Sequence, residues 1–242
     1  MKKHEIEALI LYASTPSHKK KVTVARAIIK QAFELLPEEK WYVAFSGGKD
    51  STVVFNLVTE IYPSVVGLWC DDEFYLPETA DYINRLKRQD SKIEQVSKKV
   101  KHTDWFIANN DNKADVLDIY NRYEGVFLGL RAQENTNRRK YLRKYGPLYY
   151  AKKGSITQGW LCNPIAWWKI EDVWAYIYIN QLDYNRAYDK LSEIGVSISN
   201  QRIGPYAVDA ALSYGQMAIL KKGWPDEYQR FLAKYPQASQ YV

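Results

Sequence analysis

The stretch that decides the fold runs from Trp41 to Ser51 and reads Trp-Tyr-Val-Ala-Phe-Ser-Gly-Gly-Lys-Asp-Ser. Its first five residues are apolar without alternation, which is typical of a strand buried on both faces of a parallel sheet. Beyond Asp50 the apolar residues recur at helical spacing, so the strand is predicted to pass through a glycine-rich turn directly into a helix. Such a turn between a buried strand and a helix favours the binding of phosphate.

The same alternation continues on both sides of this stretch. A helix from about Val22 to Leu36 precedes it, after a predicted break at Thr15-Pro16-Ser17. Buried strands follow at Val65 to Cys70 and Gly125 to Leu130, with a helix at Glu78 to Arg88 between them. Strands and helices that alternate in this way predict an α/β fold, a mostly parallel twisted sheet with helices on both faces.

The character of the sequence changes after Arg131, where a basic run begins and the strong apolar strands end. A Gly-Pro break at Gly204-Pro205 is followed by predicted helices at about Val208 to Lys221 and Pro225 to Tyr235. We therefore expect a nucleotide-binding domain with N-terminal helices over residues 1–190, and a C-terminal helical extension over residues 191–242 packed on it.

The glycine loop, Ser46 to Ser51, has a phosphate-binding rationale at each position. Its two glycines allow a tight turn, the helix that follows offers unpaired N–H groups, and the hydroxyls of Ser46 and Ser51 add donors. Lys49 adds a mobile positive charge. Asp50 would repel phosphate unless a cation bridges them, which predicts Mg²⁺ between this carboxylate and a polyphosphate. The alternative is an ordinary strand–turn–helix junction that is rich in glycine.

The glycine loop resembles the signature of the N-type ATP pyrophosphatases, also called the PP-loop or adenine-nucleotide alpha-hydrolase group. Three further segments narrow the resemblance to the phosphoadenosine-phosphosulfate reductase family. They are Asp71 to Thr79 (Asp-Asp-Glu-Phe-Tyr-Leu-Pro-Glu-Thr), Gly129 to Arg138 (Gly-Leu-Arg-Ala-Gln-Glu-Asn-Thr-Asn-Arg), and the run from Pro164-Ile165 through Asp172-Val173-Trp174 to Tyr184-Asn185. The resemblance implies an adenine-nucleotide alpha-hydrolase-like fold and cleavage of ATP between its α and β phosphates, with adenylation of an acceptor.

These motifs define the candidate site. The predicted catalytic residues are Ser46, Lys49, Asp50 and Arg131, and Asp50 is the predicted metal ligand. The predicted nucleotide-binding residues are Ser46, Gly47, Gly48, Lys49, Asp50, Ser51, Asp71, Gly129, Arg131 and Arg138. Asp71 ends a parallel strand at the carboxyl edge, where open sheets bind ligands. If residues 131–138 are helical, the two arginines share one face and could bind phosphate or sulfate oxygens together.

The two cysteines, Cys70 and Cys162, separate this sequence from the reductases that it resembles. Those enzymes keep a nucleophilic cysteine in a C-terminal tail motif, and here no cysteine follows Cys162. Two cysteines are also too few for an iron–sulfur site. We therefore expect ATP chemistry rather than thiol chemistry. The alternative is a sulfonucleotide reductase-like protein that uses Cys70 or the thiol of a partner.

A net charge of +6 predicts an anionic partner, which the resemblance implies is an adenine nucleotide. The basic run from Arg138 to Lys144 leaves nucleic acid open as a second partner, and the protein as a component of nucleic-acid modification. The acceptor substrate is unknown and a homodimer is left open.

Because neither a signal peptide nor a membrane-spanning run is visible, we expect a cytoplasmic protein without membrane contact. His4, His18 and His102 are expected at the surface.

Overall fold

The fold is built on one six-stranded sheet, seen in a computed structural model that describes residues 1, 3–71, 74–89, 91–97, 122–151, 159–204 and 215–241. The strand order is β3-β2-β1-β4-β6-β5, and every neighbouring pair is parallel except β5 with β6. The strands are β1 Trp41–Ala44, β2 Val66–Asp71, β3 Ile93–Ser97, β4 Gly125–Phe127, β5 Leu148–Ala151 and β6 Gly159–Cys162. The predicted α/β fold is confirmed.

Helices cover the sheet, and further helices precede its first strand and follow its last strand in the chain. They are α1 Lys3–Ala13, α2 Pro16–Leu35, α3 Lys49–Thr59, α4 Pro77–Arg88, α5 Thr136–Tyr145, α6 Ile170–Ile179, α7 Ala187–Glu193, α8 Gln216–Gly223 and α9 Pro225–Lys234. Short 3₁₀ turns occupy Glu38–Lys40 and Pro236–Tyr241. None of the helices in the described residues is both long and apolar enough to cross a membrane.

The central strand β1 pairs with β2 on one side and with β4 on the other. The order of the strands therefore reverses at β1, and such a reversal opens a crevice at the carboxyl ends of the strands. The glycine loop follows β1 directly, so the topology places it in this crevice.

The core lies mainly between the sheet and the helices α2, α3 and α6. The apolar side chains of α3 at Val53, Val54 and Leu57 are completely buried, together with Val43 of β1. Each side chain of this size stabilises the fold by about 1.5–3 kcal/mol when it is removed from water. The buried face of α3 thus anchors the helix whose first turn belongs to the glycine loop.

The C-terminal helices belong to the same core. Phe231 of α9 packs edge-on against Phe74 with ring centroids 5.0 Å apart, and the indole N–H of Trp224 donates to the Glu78 carboxylate at 2.9 Å. Residues 205–214, which include the start of the helix predicted from Val208, lie outside the described part. The predicted boundary at residue 190 stays a prediction.

Two predicted boundaries were wrong, and one strand was missed. The predicted break separates α1 from α2, but α2 begins at Pro16 and not at about Val22, because the Thr15 hydroxyl accepts from the His18 N–H at 3.3 Å and Pro16 occupies the first helical position. The strand predicted over Gly125 to Leu130 ends at Phe127. The missed strand is β3, whose Ile-Glu-Gln-Val-Ser sequence is polar because it forms an edge of the sheet.

The prediction that His18 is a surface residue was also wrong. His18 is 2% exposed, and its Nδ1 lies 3.5 Å from Oδ1 of the fully buried Asp172. Tyr12 and Lys21 donate to the same carboxylate at 2.7 and 2.6 Å. This buried polar cluster ties α1 and α2 to the start of α6, and a lone histidine in a polar stretch carries no signal for such a distant partner.

Candidate functional site

The backbone of the glycine loop requires glycine at Gly47. The φ of Gly47 is +72°, in the left-handed region that side chains disfavour, and a Cβ there would lie 3.1 Å from Cγ2 of Thr79. Gly48 is extended and precedes the first helical residue of α3, Lys49. The loop therefore turns sharply away from the end of β1 and points the N-terminus of α3 into the crevice.

The hydroxyls of the glycine loop brace the loop itself. Ser46 donates its N–H to Oγ of Ser51 at 3.2 Å, and the two hydroxyl oxygens are 3.1 Å apart. Ser51 also donates to the carbonyl of Gly48 at 2.9 Å. In the described part of the chain, the N–H groups of Asp50 and Ser51 make no hydrogen bond. Unpaired N–H groups at the start of an 11-residue helix form a binding site for an anion.

Lys49 is a buried, fixed cation and not the mobile charge that we expected. Its side chain is 6% exposed, and Nζ lies 3.1 Å from Oδ2 of Asp50 and 3.4 Å from the carbonyl of Gln201. The ammonium also sits 5.2 Å from the ring centroid of Tyr188. Burial works against the charged form, but Tyr188 and Asp50 outweigh it and raise the pKa of Lys49. The residue therefore keeps its charge at neutral pH.

Arg131 reaches the glycine loop from the segment after β4. Its Nε lies 2.6 Å from Oδ1 of Asp50, and the residue is 4% exposed. Gly129 permits this approach, because a Cβ there would lie 2.9 Å from the carbonyl carbon of Asp50 and 3.0 Å from the backbone nitrogen of Ser51. Two of the predicted residues, Gly129 and Arg131, are thus brought to the loop by the pairing of β4 with β1.

Arg131 and Arg138 meet in a different way from the one we expected. Residues 131–135 are not helical, because α5 begins at Thr136 and is capped by the Asn135 side chain, which accepts from the Arg138 N–H at 2.7 Å. Both arginines instead contact Glu134: its carboxylate accepts the Arg131 N–H at 3.0 Å and forms an ion pair with the Arg138 guanidinium. Glu134 thus links the main chain of Arg131 to the side chain of Arg138, whereas the Arg131 guanidinium contacts Asp50.

Asp71 is the last residue of β2 and is in register with Ser97 of β3. It therefore lies at the carboxyl ends of the parallel strands, where the glycine loop also lies. Its neighbours Asp72 and Glu73 lie outside the described residues.

Several residues around the loop were not singled out from the sequence. The Tyr188 hydroxyl accepts the backbone N–H of Lys49 at 3.1 Å, and Gln133 accepts from Arg131 at 2.9 Å and from the Ile170 N–H at 2.7 Å. Asn185 donates to the Thr79 hydroxyl at 2.8 Å, beside Gly47. Thr79 and Asn185 both stand in the family-like segments, so their common motif membership was the available signal.

The two cysteines differ in position. Cys162 ends β6 and is completely buried, and burial raises the pKa of its thiol. Cys70 lies one residue before the end of β2, is half-buried, and packs with Tyr42 and Leu68 on the face of the sheet opposite α3. Neither side chain therefore belongs to the group of residues that contact the glycine loop.

Comparison with known proteins shows the family of this chain. Residues 40–207 match the phosphoadenosine phosphosulfate reductase domain. The chain is 27% identical over 222 residues to an uncharacterized protein of Methanocaldococcus jannaschii, covering 85% of this chain and 50% of that protein. It is 24% identical over 177 residues to adenosine 5'-phosphosulfate reductase of Staphylococcus epidermidis, covering 69% of this chain and 72% of that enzyme. The chain thus spans about half the length of the archaeal relative.

Two solved structures share the fold at a TM-score of 0.57. One is phosphoadenylyl-sulfate reductase from Candida auris in complex with phosphate, which is 16% identical. The match covers 85% of this chain and 96% of the reductase chain. The other is Candida glabrata FMN adenylyltransferase in complex with ATP, which is 11% identical. The match covers 76% of this chain and 64% of the adenylyltransferase chain. The matched domain includes β1, the glycine loop and the segment from Gly129 to Arg138. This chain belongs to the phosphoadenosine phosphosulfate reductase domain family.

Proposed function

We propose that this protein binds ATP at the glycine loop and cleaves it between the α and β phosphates, releasing pyrophosphate and transferring the adenylyl group to an acceptor or to water. The observation that carries this proposal is the meeting of the α3 N-terminus with two buried cations, Lys49 and Arg131, on either side of Asp50. Polyphosphate is the ligand that such a concentration of N–H groups and positive charge favours.

The proposed step is a displacement at phosphorus. An oxygen of the acceptor or of water attacks the α phosphorus, the bond from that phosphorus to the bridging oxygen breaks, and its electron pair leaves with pyrophosphate. Negative charge develops on the leaving group, where the N–H groups of Asp50 and Ser51 and the charge of Lys49 would stabilise it. Arg131, whose Nε lies 2.6 Å from Oδ1 of Asp50, would hold a phosphate oxygen.

The residues fit a magnesium ion that is held mainly by the nucleotide. Each oxygen of Asp50 accepts one cationic partner, and a carboxylate has about four lone-pair sites, so one further contact per oxygen is open. Within the described ranges, no three acidic, histidine or cysteine side chains gather as a metal site. A single carboxylate with substrate phosphates is a common way to bind Mg²⁺, which would neutralise charge on the polyphosphate.

Product analysis with α-labelled ATP and Mg²⁺ tests the proposal. We expect labelled AMP together with pyrophosphate, and we expect Lys49→Met, which keeps the length of the side chain but not its charge, to lose most of this activity. Lys19→Ala, at an exposed lysine of α2, is the matched control and should leave the rate unchanged. Formation of ADP and phosphate, or full activity in Lys49→Met, would contradict the proposal.

A second candidate is supported by the named relative that reduces a sulfonucleotide. In that case the same loop would bind adenosine 5'-phosphosulfate. A thiolate would attack its sulfur, the bond from sulfur to the bridging oxygen would break, and AMP would leave. A second thiol would then form a disulfide with the first and release sulfite. The positions of Cys70 and Cys162 away from the loop favour the first candidate, unless a partner protein supplies the thiol. Release of sulfite in the presence of a thioredoxin-like donor would establish the second candidate, and Cys70→Ala would show whether that cysteine takes part.

A further inference from the structure

One surface of the protein combines positive charge with exposed aromatic rings. We call it the α5–β5 surface and define it by Arg139, Lys140, Tyr141, Arg143, Lys144 and Tyr145 of α5 together with Tyr149 of β5. Helix α5 contains five arginine or lysine residues and no acidic residue. The adjacent strand β5 is at the edge of the sheet. Neither feature takes part in the proposed ATP cleavage.

The charge of this surface is largely uncompensated. Arg138 forms an ion pair with Glu134, but Arg139, Lys140, Arg143 and Lys144 form no ion pair with any residue of the described ranges, and all four are exposed. A solvated helix normally alternates positive and negative residues at i and i+4. Five like charges over seven positions repel one another, which favours binding of a polyanion that brings their counter-charge.

The tyrosines form a contiguous group of rings beside these charges. Tyr141 and Tyr145 are 46% and 44% exposed, with ring centroids 4.5 Å apart. Both rings also approach Tyr149, at 5.4 and 5.7 Å, so that α5 and β5 present one aromatic platform. Exposed rings held by their neighbours lose little entropy when a flat ligand stacks on them.

We propose that the α5–β5 surface binds single-stranded nucleic acid, with bases stacked on Tyr141 and Tyr145 and phosphates held by Lys140, Arg143 and Lys144. Proteins that bind single-stranded nucleic acid without sequence preference combine aromatic rings, on which bases stack, with basic side chains that hold the phosphates. An acidic polypeptide would use the charges but not the rings. A duplex would hide its base faces in the stack, so it would lose the contribution of the tyrosines.

The position of the surface relates it to the candidate site. Arg138, in the first turn of α5, shares Glu134 with Arg131, which contacts the glycine loop. At about 1.5 Å per residue, Tyr145 lies roughly 10 Å further along the helix axis. A strand bound to the α5–β5 surface would therefore run toward the glycine loop. Binding itself does not depend on ATP cleavage, so it is measured without ATP.

Fluorescence anisotropy with a labelled 20-nucleotide oligo-dT tests the proposal on the full chain between 50 and 200 mM NaCl. For Lys140→Ala/Arg143→Ala/Lys144→Ala we expect at least tenfold weaker binding at 50 mM. We also expect a slope of log K against log salt reduced by about 2, since each single-strand phosphate contact contributes about 0.7. Lys19→Ala/Lys20→Ala/Lys30→Ala removes the same charge from the exposed side of α2 and should bind as the unmodified protein does.

A second variant tests the rings separately. Tyr141→Leu/Tyr145→Leu keeps apolar bulk against Tyr149 and should weaken binding roughly tenfold without changing the salt slope. The proposal is overturned if oligo-dT does not bind at 50 mM NaCl, or if the α2 variant loses as much affinity as the α5 variant. It is also overturned if the leucine variant binds normally, or if poly-glutamate of equal charge or a duplex competes as well as unlabelled oligo-dT. Circular dichroism melts of each variant confirm that its fold is intact.

Discussion

Nε of Arg131 lies 2.6 Å from Oδ1 of Asp50, across 81 residues of sequence, and the other oxygen of the same carboxylate lies 3.1 Å from Nζ of Lys49. One carboxylate thus holds two buried cations, one from α3 and one from the segment after β4. This arrangement joins the two loops that border the crevice at β1. It also keeps both positive charges at the place where a polyphosphate would bind.

Removal of one charged side chain from the group Lys49, Asp50 and Arg131 should destabilise the folded state. We expect Arg131→Met to lower the free energy of unfolding by about 3 kcal/mol, because Asp50 is left with only Lys49 as a counter-charge. The triple variant Lys49→Met/Asp50→Asn/Arg131→Met should recover most of that loss, because it leaves no buried charge without a partner, and it should not cleave ATP. Urea unfolding and product assays on the same samples check both statements. Equal stability of Arg131→Met and the unmodified protein would show that the ion pair is not a buried contact in solution.

Gly47→Ala should abolish nucleotide binding through a clash as well as through backbone strain. Gly215 is the matched control, because its φ is also positive, at +66°, but a Cβ there meets no atom of the described residues within 4 Å. Both substitutions should lower the free energy of unfolding by about 1–2 kcal/mol. Only Gly47→Ala should lose ATP binding, as measured by calorimetry. Loss of binding in Gly215→Ala to the same extent would mean that general destabilisation explains the effect.

Asp172 should make the protein sensitive to acid. Burial opposes its charge, but hydrogen bonds from His18, Lys21, the Lys169 N–H and Tyr12 outweigh it and hold the pKa of the carboxyl well below its usual range. The folded state therefore binds fewer protons than the unfolded state, whose carboxyl titrates near about 3.9. Stability is present above that value and falls as the pH drops from about 5 toward 2.

Urea unfolding between pH 7 and pH 3 measures this dependence. Asp172→Asn should be less stable than the unmodified protein at pH 7, and its stability should fall less steeply below pH 5. Identical acid slopes in the two proteins would show that other carboxyl groups dominate.

The hydroxyl of Tyr188 should matter for the geometry of the loop. Burial, in the first place, raises the pKa of Tyr188, so the hydroxyl is protonated at neutral pH and accepts the Lys49 N–H at 3.1 Å. Tyr188→Phe leaves that buried N–H unpaired, at a cost of about 1–3 kcal/mol. We expect the KM for ATP to rise roughly tenfold, because a loss of about 1.4 kcal/mol of binding free energy corresponds to a factor of ten.

Tyr184→Phe is the control for this experiment. The Tyr184 hydroxyl donates to Asp189 at 2.9 Å, away from the glycine loop, so its removal should alter stability but not the KM for ATP. Equal effects of the two substitutions on KM would exclude a specific role of Tyr188.

The prediction of the fold succeeded where the apolar residues carry a clear period. Strand β1 and helix α4 lie within one residue of their predicted bounds, and the apolar side chains that set those bounds are buried, as at Val43 and at Tyr82 and Ile83. Edge strand β3 escaped prediction because only one of its faces needs apolar residues. The start of α2 was placed too late because Thr15-Pro16, which follows the end of α1, also caps the next helix.

Sequence by itself determined that a buried strand turns through two glycines into a helix. It also determined that Gly129, Arg131 and Arg138 belong to one segment, because local spacing and residue type specify turns, helix starts and charge. Only the tertiary structure decided that Lys49 is buried beneath Tyr188 and that Asp50 stands between Lys49 and Arg131. The pairing of β4 with β1 brings these residues together across 81 positions, and no local pattern encodes a contact that depends on the order of strands in a sheet.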